Sequence, residues 1–227
     1  MRFFDVHTHI LPGIDDGAKN KEQSLEMIKM LKEQGITDII LTPHYYPTET
    51  LFSTFVEKRK RAFDEIAPYF DEYGITPHIG AEVFLIDVLF GLEDISELCI
   101  DNTNYLLIEL PFNEWNQTKI LKSLNKLCAN FQVVPIIAHI EKYPAFFKKS
   151  FLSEINKMDY FAQIDIDSLK NPFLKRKIKK YIEKGYIQFA GSDCHDTQKR
   201  KPNFDVLKQN LLEIMELFLF NNSDITF

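Results

Sequence analysis

The stretch FFDVHTHI, residues 3–10, places two histidines two positions apart at the end of a short apolar run. Side chains alternate along a β-strand, so His7 and His9 lie on the same face, about 7 Å apart along an extended strand. Both imidazoles can therefore reach one metal ion. A lone His-x-His also occurs among ordinary core and surface histidines, so the rest of the chain has to decide between the two interpretations.

The composition predicts one folded domain that does not bind nucleic acid. The chain has 227 residues, of which 45% are hydrophobic, enough for a sizeable core. No Gly/Ser-rich linker, repeat or low-complexity tract divides it, so we expect a single domain over residues 1–227. The formal charge of −6 argues against a nucleic-acid partner, because binding to phosphate backbones requires a basic surface.

Targeting and redox features predict a cytoplasmic protein that is not embedded in a membrane. The chain begins directly with the first apolar run, without the charged and apolar regions of a signal peptide, and no apolar stretch has the length of a membrane span. Three scattered cysteines, at positions 99, 128 and 194, form no disulfide framework and fit a reducing compartment. We expect a monomer rather than an oligomer.

Short apolar runs alternate with amphipathic segments along the whole chain. The apolar runs predict seven strands, over residues 3–6, 38–42, 77–83, 105–110, 133–139, 161–166 and 187–193. The amphipathic segments predict helices over residues 21–35, 54–73, 86–98, 118–130, 171–184 and 205–219. This alternation is typical of parallel strands joined by helices. Without a Gly-rich dinucleotide loop after the first strand, we predict an α/β fold of the TIM-like barrel type, a seven-stranded parallel (β/α)7 barrel.

Metal-binding residue types lie at the ends of six of the seven predicted strands. They are His7, His9, His44, Glu82, Glu109, His139, Asp193 and His195, and Asp16 joins them from the loop PGIDDG. The carboxyl ends of parallel barrel strands emerge on one rim, so we expect all nine side chains to converge there. Packing alone does not explain the pattern, because buried charges are costly unless they are paired or bound to metal.

Nine ligands are too many for one ion. Mixed imidazole and carboxylate donors suit Mn²⁺, Fe or Zn²⁺ rather than Ca²⁺ or Mg²⁺, and bridging carboxylates allow two or three ions to lie close together. Such a cluster generates hydroxide at neutral pH and clamps the oxygens of a displacement at phosphorus. The residues therefore predict metal-dependent hydrolysis, with a phosphate ester as the expected substrate.

The order of these motifs resembles a known superfamily. DVHTHI…DDG, TPH, GAE, IEL, AHIEKY and SDCH are similar to the motifs of the PHP (polymerase and histidinol phosphatase) superfamily. The whole pattern most resembles the bacterial tyrosine-protein phosphatases of capsule and exopolysaccharide clusters, the CpsB/YwqE type. The resemblance covers the chain from end to end, and the set of motifs is specific although each alone is weak.

This resemblance implies a distorted seven-stranded barrel that holds three divalent ions, typically manganese. It implies the following ligands: His7, His9, Glu82 and Asp193 for the first ion, Glu82 (bridging), Glu109 and His139 for the second, and Asp16, His44 and His195 for the third. The implied reaction is in-line attack of a metal-bridging hydroxide on phosphotyrosine. The implied substrate is the tyrosine-rich tail of a bacterial tyrosine kinase that controls polysaccharide export.

The family also implies two cations that bind the phosphoryl group, here Lys142 and Arg200. Lysine departs from the arginine of the family, and it offers a point charge in place of a planar fork. The alternative is that Lys142 is a solvated surface residue. Asp16 and His44 are further catalytic candidates, because a protonated Asp or His can support the leaving phenolate. Tyr45 is a candidate for stacking on the substrate ring, or else a cap on the barrel rim.

Cys194 and Arg200 match the Cys-x5-Arg pattern of cysteine-dependent tyrosine phosphatases. The segment between them lacks the glycines that such a phosphate-binding loop favours. Strand alternation also turns Cys194 away from its neighbours Asp193 and His195. We therefore expect Cys194 to be a bystander and not a nucleophile.

Other roles and other functions stay open. Asp5 and His78 are interpreted as structural, and Asp165 and Asp167, at the end of the sixth strand, remain ambiguous. One alternative function is a small-molecule phosphatase of the same superfamily, such as one for histidinol phosphate, or a PHP-type nuclease, which the acidic charge disfavours. Another is a non-catalytic module in which metal ions only stabilise the barrel, although structural sites are normally saturated by one ion.

Overall fold

The computed structural model describes residues 3–112 and 115–210. These residues form nine short strands: β1 (Phe4–Thr8), β2 (Asp38–Leu41), β3 (His44–Tyr45), β4 (Thr76–Ile79), β5 (Glu82–Phe84), β6 (Tyr105–Glu109), β7 (Val134–Ile137), β8 (Phe161–Asp165) and β9 (Phe189–Gly191). The strands pair in parallel in the orders β1-β2-β4 and β3-β5-β6-β7-β8-β9. The prediction of an α/β fold with parallel strands is confirmed.

The predicted count of seven strands is not confirmed, because two predicted strands each form two. The segment 38–42 ends at Pro43, which has no N–H to donate, and resumes as β3. The segment 77–83 is interrupted at Gly80 and Ala81 between β4 and β5. Hydrogen bonds still cross the break, from Gly80 N to the Leu41 oxygen (3.0 Å) and from Glu82 N to the Pro43 oxygen (3.0 Å). The two sheets are therefore continuous at this point.

The first and last strands meet, which curls the parallel sheets into a barrel-like shape. Asp193 N donates to the His7 oxygen at 2.9 Å, and His9 N donates to the Cys194 oxygen at 3.0 Å. Thr8 and Cys194 form a parallel bridge in the same place. The FFDVHTHI segment thus lies beside the SDCH segment.

Helices cover the outside of the sheets: α1 (Lys21–Glu33), α2 (Phe52–Tyr73), α3 (Gln117–Phe131), α4 (Lys149–Lys157), α5 (Pro172–Ile182) and α6 (Phe204–Asn210). The Asn20 side chain caps α1 by accepting from Gln23 N, and Gly35 follows its end at a φ of 79°. The prediction of a helix over residues 86–98 is wrong, because this segment forms two short 3₁₀ turns, Asp87–Gly91 and Ser96–Leu98. The prediction missed α4, and the helix predicted to continue to residue 219 leaves the described residues after 210.

The core has two parts. The larger cluster includes residues from both the strands and the helices, and the smaller one consists mainly of strand residues: Val6, Ile40, Ile100, Leu107, Ile136, Ala138 and Phe189. Two residues beyond Leu107 on the same strand face comes Glu109, and two beyond Phe161, which packs against this cluster, comes Gln163. The apolar layer therefore gives way to polar residues toward the carboxyl ends of the strands. In the described part of the chain, every helix is too short or too polar to cross a membrane.

Candidate metal centre

The predicted ligands come together at the carboxyl ends of the strands. In the described residues, three groups have donor atoms within 4.8 Å of one another and could each hold a metal ion: His7–His9–Glu82, His9–Asp16–His44–His195 and His44–Glu82–Glu109. The two remaining predicted ligands lie against them. His139 Nε2 is 2.9 Å from Glu82 Oε1, and Asp193 Oδ1 is 3.4 Å from His9 Nε2. All nine residues, distant in sequence, thus form one cluster.

Glu82 is the central carboxylate, and its surroundings show whether the cluster fits metal ions. Its Oε2 atom lies 2.9 Å from His44 Nδ1 and 3.1 Å from His7 Nε2. The same buried atom has no hydrogen-bond partner among the described residues, and neither has His195 Nε2. Donor atoms that crowd together without hydrogen-bond geometry fit the coordination of shared ions.

The electrostatics of the cluster also call for cations. Burial opposes ionisation of Glu82, but His7, His139 and His44 hold the pKa of its carboxyl well below the usual range. Burial likewise opposes charge on His7, yet Glu82 and Asp193 raise its pKa from 6.5 to about 9. Without metal, protons on the imidazoles have to balance the buried carboxylates, and divalent ions can replace those protons.

Two residues that the sequence analysis missed orient the first histidines. His9 Nδ1 lies 2.8 Å from Asp15 Oδ2, and His7 Nδ1 lies 3.3 Å from Gln163 Oε1. A proton on each Nδ1 leaves Nε2 free as a metal ligand, the arrangement that such partners usually enforce. Asp15 also accepts from His44 N at 2.9 Å, so it holds two ligands in place.

The two aspartates of the PGIDDG loop have different environments. Asp15 is largely buried, and His9 together with backbone N–H groups holds the pKa of its carboxyl below the usual range although burial opposes this. Asp16 is exposed over 65% of its side chain, and its Oδ1 lies 3.3 Å from His195 Nε2 and 3.5 Å from His44 Nε2. Adjacent identical residues carry no sequence signal to separate these roles.

Two of the ligand-type residues occupy a strained backbone conformation. His139 has a φ of 33° and Asp193 a φ of 51°, in the left-handed region that residues other than glycine rarely adopt. Hydrogen bonds hold both positions, from His139 N to Gln163 Oε1 (2.7 Å) and from Asp193 N to the His7 oxygen (2.9 Å). Strain of this kind is typical of functional sites, where it aims a side chain that a regular strand would not.

Both predicted cations lie at the edge of the cluster and share one carboxylate oxygen. Asp193 Oδ2 is 2.9 Å from Arg200 Nη2 and 3.0 Å from Lys142 Nζ. Lys142 Nζ also lies 2.5 Å from Asp165 Oδ2. Burial opposes its charge, but Asp165 and Asp193 hold the pKa of Lys142 above its usual range. Lys142 is therefore an ion-paired residue and not a freely solvated surface lysine.

The structure does not support Tyr45 as a substrate-binding residue. Its side chain is 2% exposed and packs in the core, with its ring centroid 4.8 Å from that of Phe55. Because side chains alternate along β3, Tyr45 points to the face away from His44, and Tyr46, the next residue, lies on the same side as His44. The Tyr46 hydroxyl lies 3.3 Å from Glu109 Oε2, and its ring stacks on His44 at 5.1 Å.

Further aromatic side chains lie beside Tyr46 and His139, and the sequence analysis missed them. Phe84 is 5.6 Å from the Tyr46 ring. Phe112 stacks on His139 at 5.8 Å and keeps 43% of its surface exposed. Tyr46, Phe84 and Phe112 follow or end β3, β5 and β6, which are neighbours in the sheet.

Cys194 is fully buried, and burial raises the pKa of its thiol well above the usual range. An inert thiol agrees with the expectation that Cys194 is a bystander. Asp5 and His78 make internal contacts: Asp5 accepts from Ser192 N (2.8 Å) and Oγ (2.6 Å), and His78 lies between two carboxylates. Asp167 forms an exposed ion pair with Lys170 at 2.7 Å.

Comparison with known proteins points to one family. The model of the family "Capsular polysaccharide synthesis, CpsB/CapC" matches residues 3–216. CapC of Staphylococcus aureus is 30% identical over 206 residues, covering 86% of this chain and 78% of that protein. The tyrosine-protein phosphatase YwqE of Bacillus subtilis is 29% identical over 222 residues, covering 93% of this chain and 83% of YwqE.

Solved structures agree on the fold. A crystal structure from the pair YwqE of Bacillus subtilis and CpsB of Streptococcus pneumoniae, described as metal-dependent tyrosine phosphatases, superposes with a TM-score of 0.73 at 23% identity. The superposition covers 99% of this chain and 96% of that one. The lactonase Lmo2620 of Listeria monocytogenes shares the fold more distantly, with a TM-score of 0.52, 12% identity and 98% and 88% of the two chains covered.

Proposed function

Since the chain belongs to the CpsB/CapC family of capsular polysaccharide synthesis, we propose that it is a metal-dependent tyrosine-protein phosphatase. The observation that carries the proposal is the cluster of five histidines and four carboxylates with two cations on one of its oxygens. Cations beside a multi-metal site suit an anionic substrate such as a phosphate ester. YwqE and CpsB are named as tyrosine-protein phosphatases, which favours phosphotyrosine.

The proposed cofactors are three divalent ions, with manganese first and Fe or Zn²⁺ as alternatives. The proposed ligand sets are His7, His9, Glu82 and Asp193, then Glu82, Glu109 and His139, then Asp16, His44 and His195. Two close groupings depart from these sets: His44 joins Glu82 and Glu109, and His9 joins the third set. Both departures support ions that share ligands. When bound, the ions would acidify water and neutralise phosphoryl charge.

The protein's own side chains then bind and orient the phosphoryl group. Arg200 offers a planar fork and Lys142 a point charge for its oxygens. Asp193 Oδ1 faces His9 while Oδ2 holds both cations, so the cations lie at the border of the metal centre. His195 lowers the pKa of Asp16, which favours Asp16 as a ligand over a proton donor. His44 belongs to the same proposed ligand set, so neither candidate acid is assigned as the proton donor to the leaving phenolate.

The phenyl ring of the substrate is proposed to pack against the aromatic side chains of the rim. Tyr46, Phe84 and Phe112 line consecutive strand ends on the side of Glu109 and His139. Aromatic side chains favour offset or edge contacts with another ring. This group replaces Tyr45 as the proposed ring-binding element.

The physiological setting is proposed from the same resemblance. We propose that the substrate is the tyrosine-rich tail of a bacterial tyrosine kinase that controls polysaccharide export. A closed seven-unit barrel, a single domain, a monomeric state and a cytoplasmic location remain predictions of the sequence.

Hydrolysis of a phosphotyrosyl peptide beside histidinol phosphate tests the proposal, with EDTA and with added Mn²⁺. We expect turnover of the peptide to exceed that of the alkyl ester, to stop with EDTA and to return with Mn²⁺. Preference for histidinol phosphate would identify a small-molecule phosphatase instead. Metal bound by elemental analysis without turnover of either ester would identify a non-catalytic module.

A further inference from the structure

Lys142 carries its charge on a flexible side chain, yet its ammonium is held between two carboxylates. It ends a single 3₁₀ turn, Ile140–Lys142, and 38% of its side chain is exposed. Nζ lies 2.5 Å from Asp165 Oδ2 and 3.0 Å from Asp193 Oδ2. A lysine ammonium has no intrinsic orientation, so its placement depends on such partners.

Asp193 alone cannot fix the position of Lys142, because it is shared. Its Oδ2 also binds Arg200 at 2.9 Å, and its Oδ1 faces the imidazoles of His7 (3.6 Å) and His9 (3.4 Å). Asp165, in contrast, contacts Lys142 through Oδ2, while its Oδ1 accepts from Gln163 Nε2. Its Oδ2 is therefore available to Lys142.

Asp165 is itself firmly anchored. Asp165 is only 4% exposed. Its Oδ1 accepts from Gln163 Nε2 at 3.2 Å, and its backbone N donates to Glu141 Oε1 at 3.1 Å. Gln163 in turn accepts from His139 N at 2.7 Å and faces His7 Nδ1 at 3.3 Å. The carboxylate that holds Lys142 is thus connected to the framework that holds the histidines.

We propose that Asp165 is a positioning residue, which fixes Lys142 Nζ beside Arg200 so that both cations contact one phosphoryl group. An arginine would bring its own planar fork, whereas a lysine at this position needs an external carboxylate to orient its charge. This inference rests on the proposed function, since it assumes that Lys142 binds the phosphoryl group.

Steady-state kinetics on a phosphotyrosyl peptide with Mn²⁺ test the inference in five variants: Asp165→Asn, Lys142→Ala, the double variant of these two, Asp165→Asn combined with Lys142→Arg, and Asp167→Asn. Asparagine keeps the size of Asp165 and removes its carboxyl group. We expect Asp165→Asn to lower kcat/KM roughly tenfold and to weaken competitive inhibition by inorganic phosphate, with unchanged metal content. Asp167→Asn, which removes an exposed carboxylate two residues away, is the matched control and should behave as wild type.

The double variant decides whether Asp165 acts through Lys142. If it does, Asp165→Asn should cause no further loss once Lys142 is alanine, and Lys142→Arg should restore activity to Asp165→Asn. Wild-type kinetics in Asp165→Asn, or a full additional loss in the double variant, would overturn the inference. If the wild-type enzyme does not hydrolyse phosphotyrosine, the proposed function is contradicted instead. The inference is then tested by calorimetry, which measures the binding of inorganic phosphate to Asp165→Asn and Lys142→Ala.

Discussion

At the scale of the residue, Asp193 connects the two halves of the site. One carboxylate oxygen faces His7 and His9, and the other pairs with Lys142 and Arg200. A single side chain therefore sets the distance between the metal ligands and the cations. Its left-handed backbone, with a φ of 51°, is the local strain that this position requires.

The two cations should differ in their effect on catalysis. Arg200→Ala should lower kcat/KM by roughly two to three orders of magnitude, the scale of a lost charged contact in the transition state. Lys142→Ala should cost less, because an ammonium makes a less oriented contact, and Lys142→Arg should be neutral or beneficial. Steady-state kinetics on a phosphotyrosyl peptide measure these effects. No kinetic change in Lys142→Ala would remove Lys142 from the site.

The buried thiol of Cys194 should be dispensable for catalysis. Cys194→Ser should keep most of the activity of the wild type, because burial keeps the thiol protonated and away from substrate. Turnover measured at equal metal content checks this. A variant that binds its metals but has no turnover would show that the thiol takes part in the reaction.

At the scale of the element, the close approach of β9 to β1 sets the shape of the metal centre. Gly191, the last residue of β9, lies directly against His7, since a Cβ at this position would come within 2.6 Å of His7 Cβ and 3.1 Å of His7 N. Only glycine allows the two strands to approach so closely. The position of His7 thus depends on a residue far along the chain.

Gly191→Ala should displace His7. We expect a loss of stability of about 1–3 kcal/mol, typical of overpacking, together with a lower metal content. Gly91→Ala is the matched control, because a Cβ there meets no atom within 4 Å. Chemical denaturation and elemental analysis measure both variants. A Gly191→Ala protein with the stability and metal content of Gly91→Ala would contradict this packing argument.

At the scale of the whole molecule, the metal cluster joins strands from both ends of the chain. Ions bound there should stabilise the fold, because ligands from distant strands come together only in the folded state. Each site occupied at a hundredfold excess over its Kd should add about 2.7 kcal/mol. EDTA should therefore lower the Tm, and Mn²⁺ should restore it. An equal Tm with and without EDTA, with metal loss verified by elemental analysis, would contradict the proposed ligation.

The metal-free protein should lose stability as the pH rises. The pKa of His7 is raised from 6.5 to about 9, because Glu82 and Asp193 favour its charged form more than burial opposes it. This contribution is fully present below pH 6.5 and is lost as the pH rises toward 9. Urea denaturation of EDTA-treated protein at several pH values measures it. Stability that is constant or rises over this interval would contradict the proposed charge balance.

Sequence by itself determined the α/β class and the parallel strands, because alternating apolar runs and amphipathic segments are local patterns that distant contacts do not alter. It also determined which ligand-type residues would cluster, because each lies at the carboxyl end of a strand, and those ends share one rim. The apolar pattern did not predict that the strand breaks at Pro43, because the pattern continues on both sides of this residue.

Only the tertiary structure decided which side chains support the ligands. Only the structure shows that Asp15, and not Asp16, contacts His9, and that Gln163 contacts His7. It also shows that Lys142 pairs with Asp165, and that Tyr45 is buried in the core. The physical reason is the same in each case. Hydrogen bonds and ion pairs depend on distances of about 3 Å between side chains from separate strands and loops. Such distances follow from how the strands curl around one another, and no local pattern of residues encodes that.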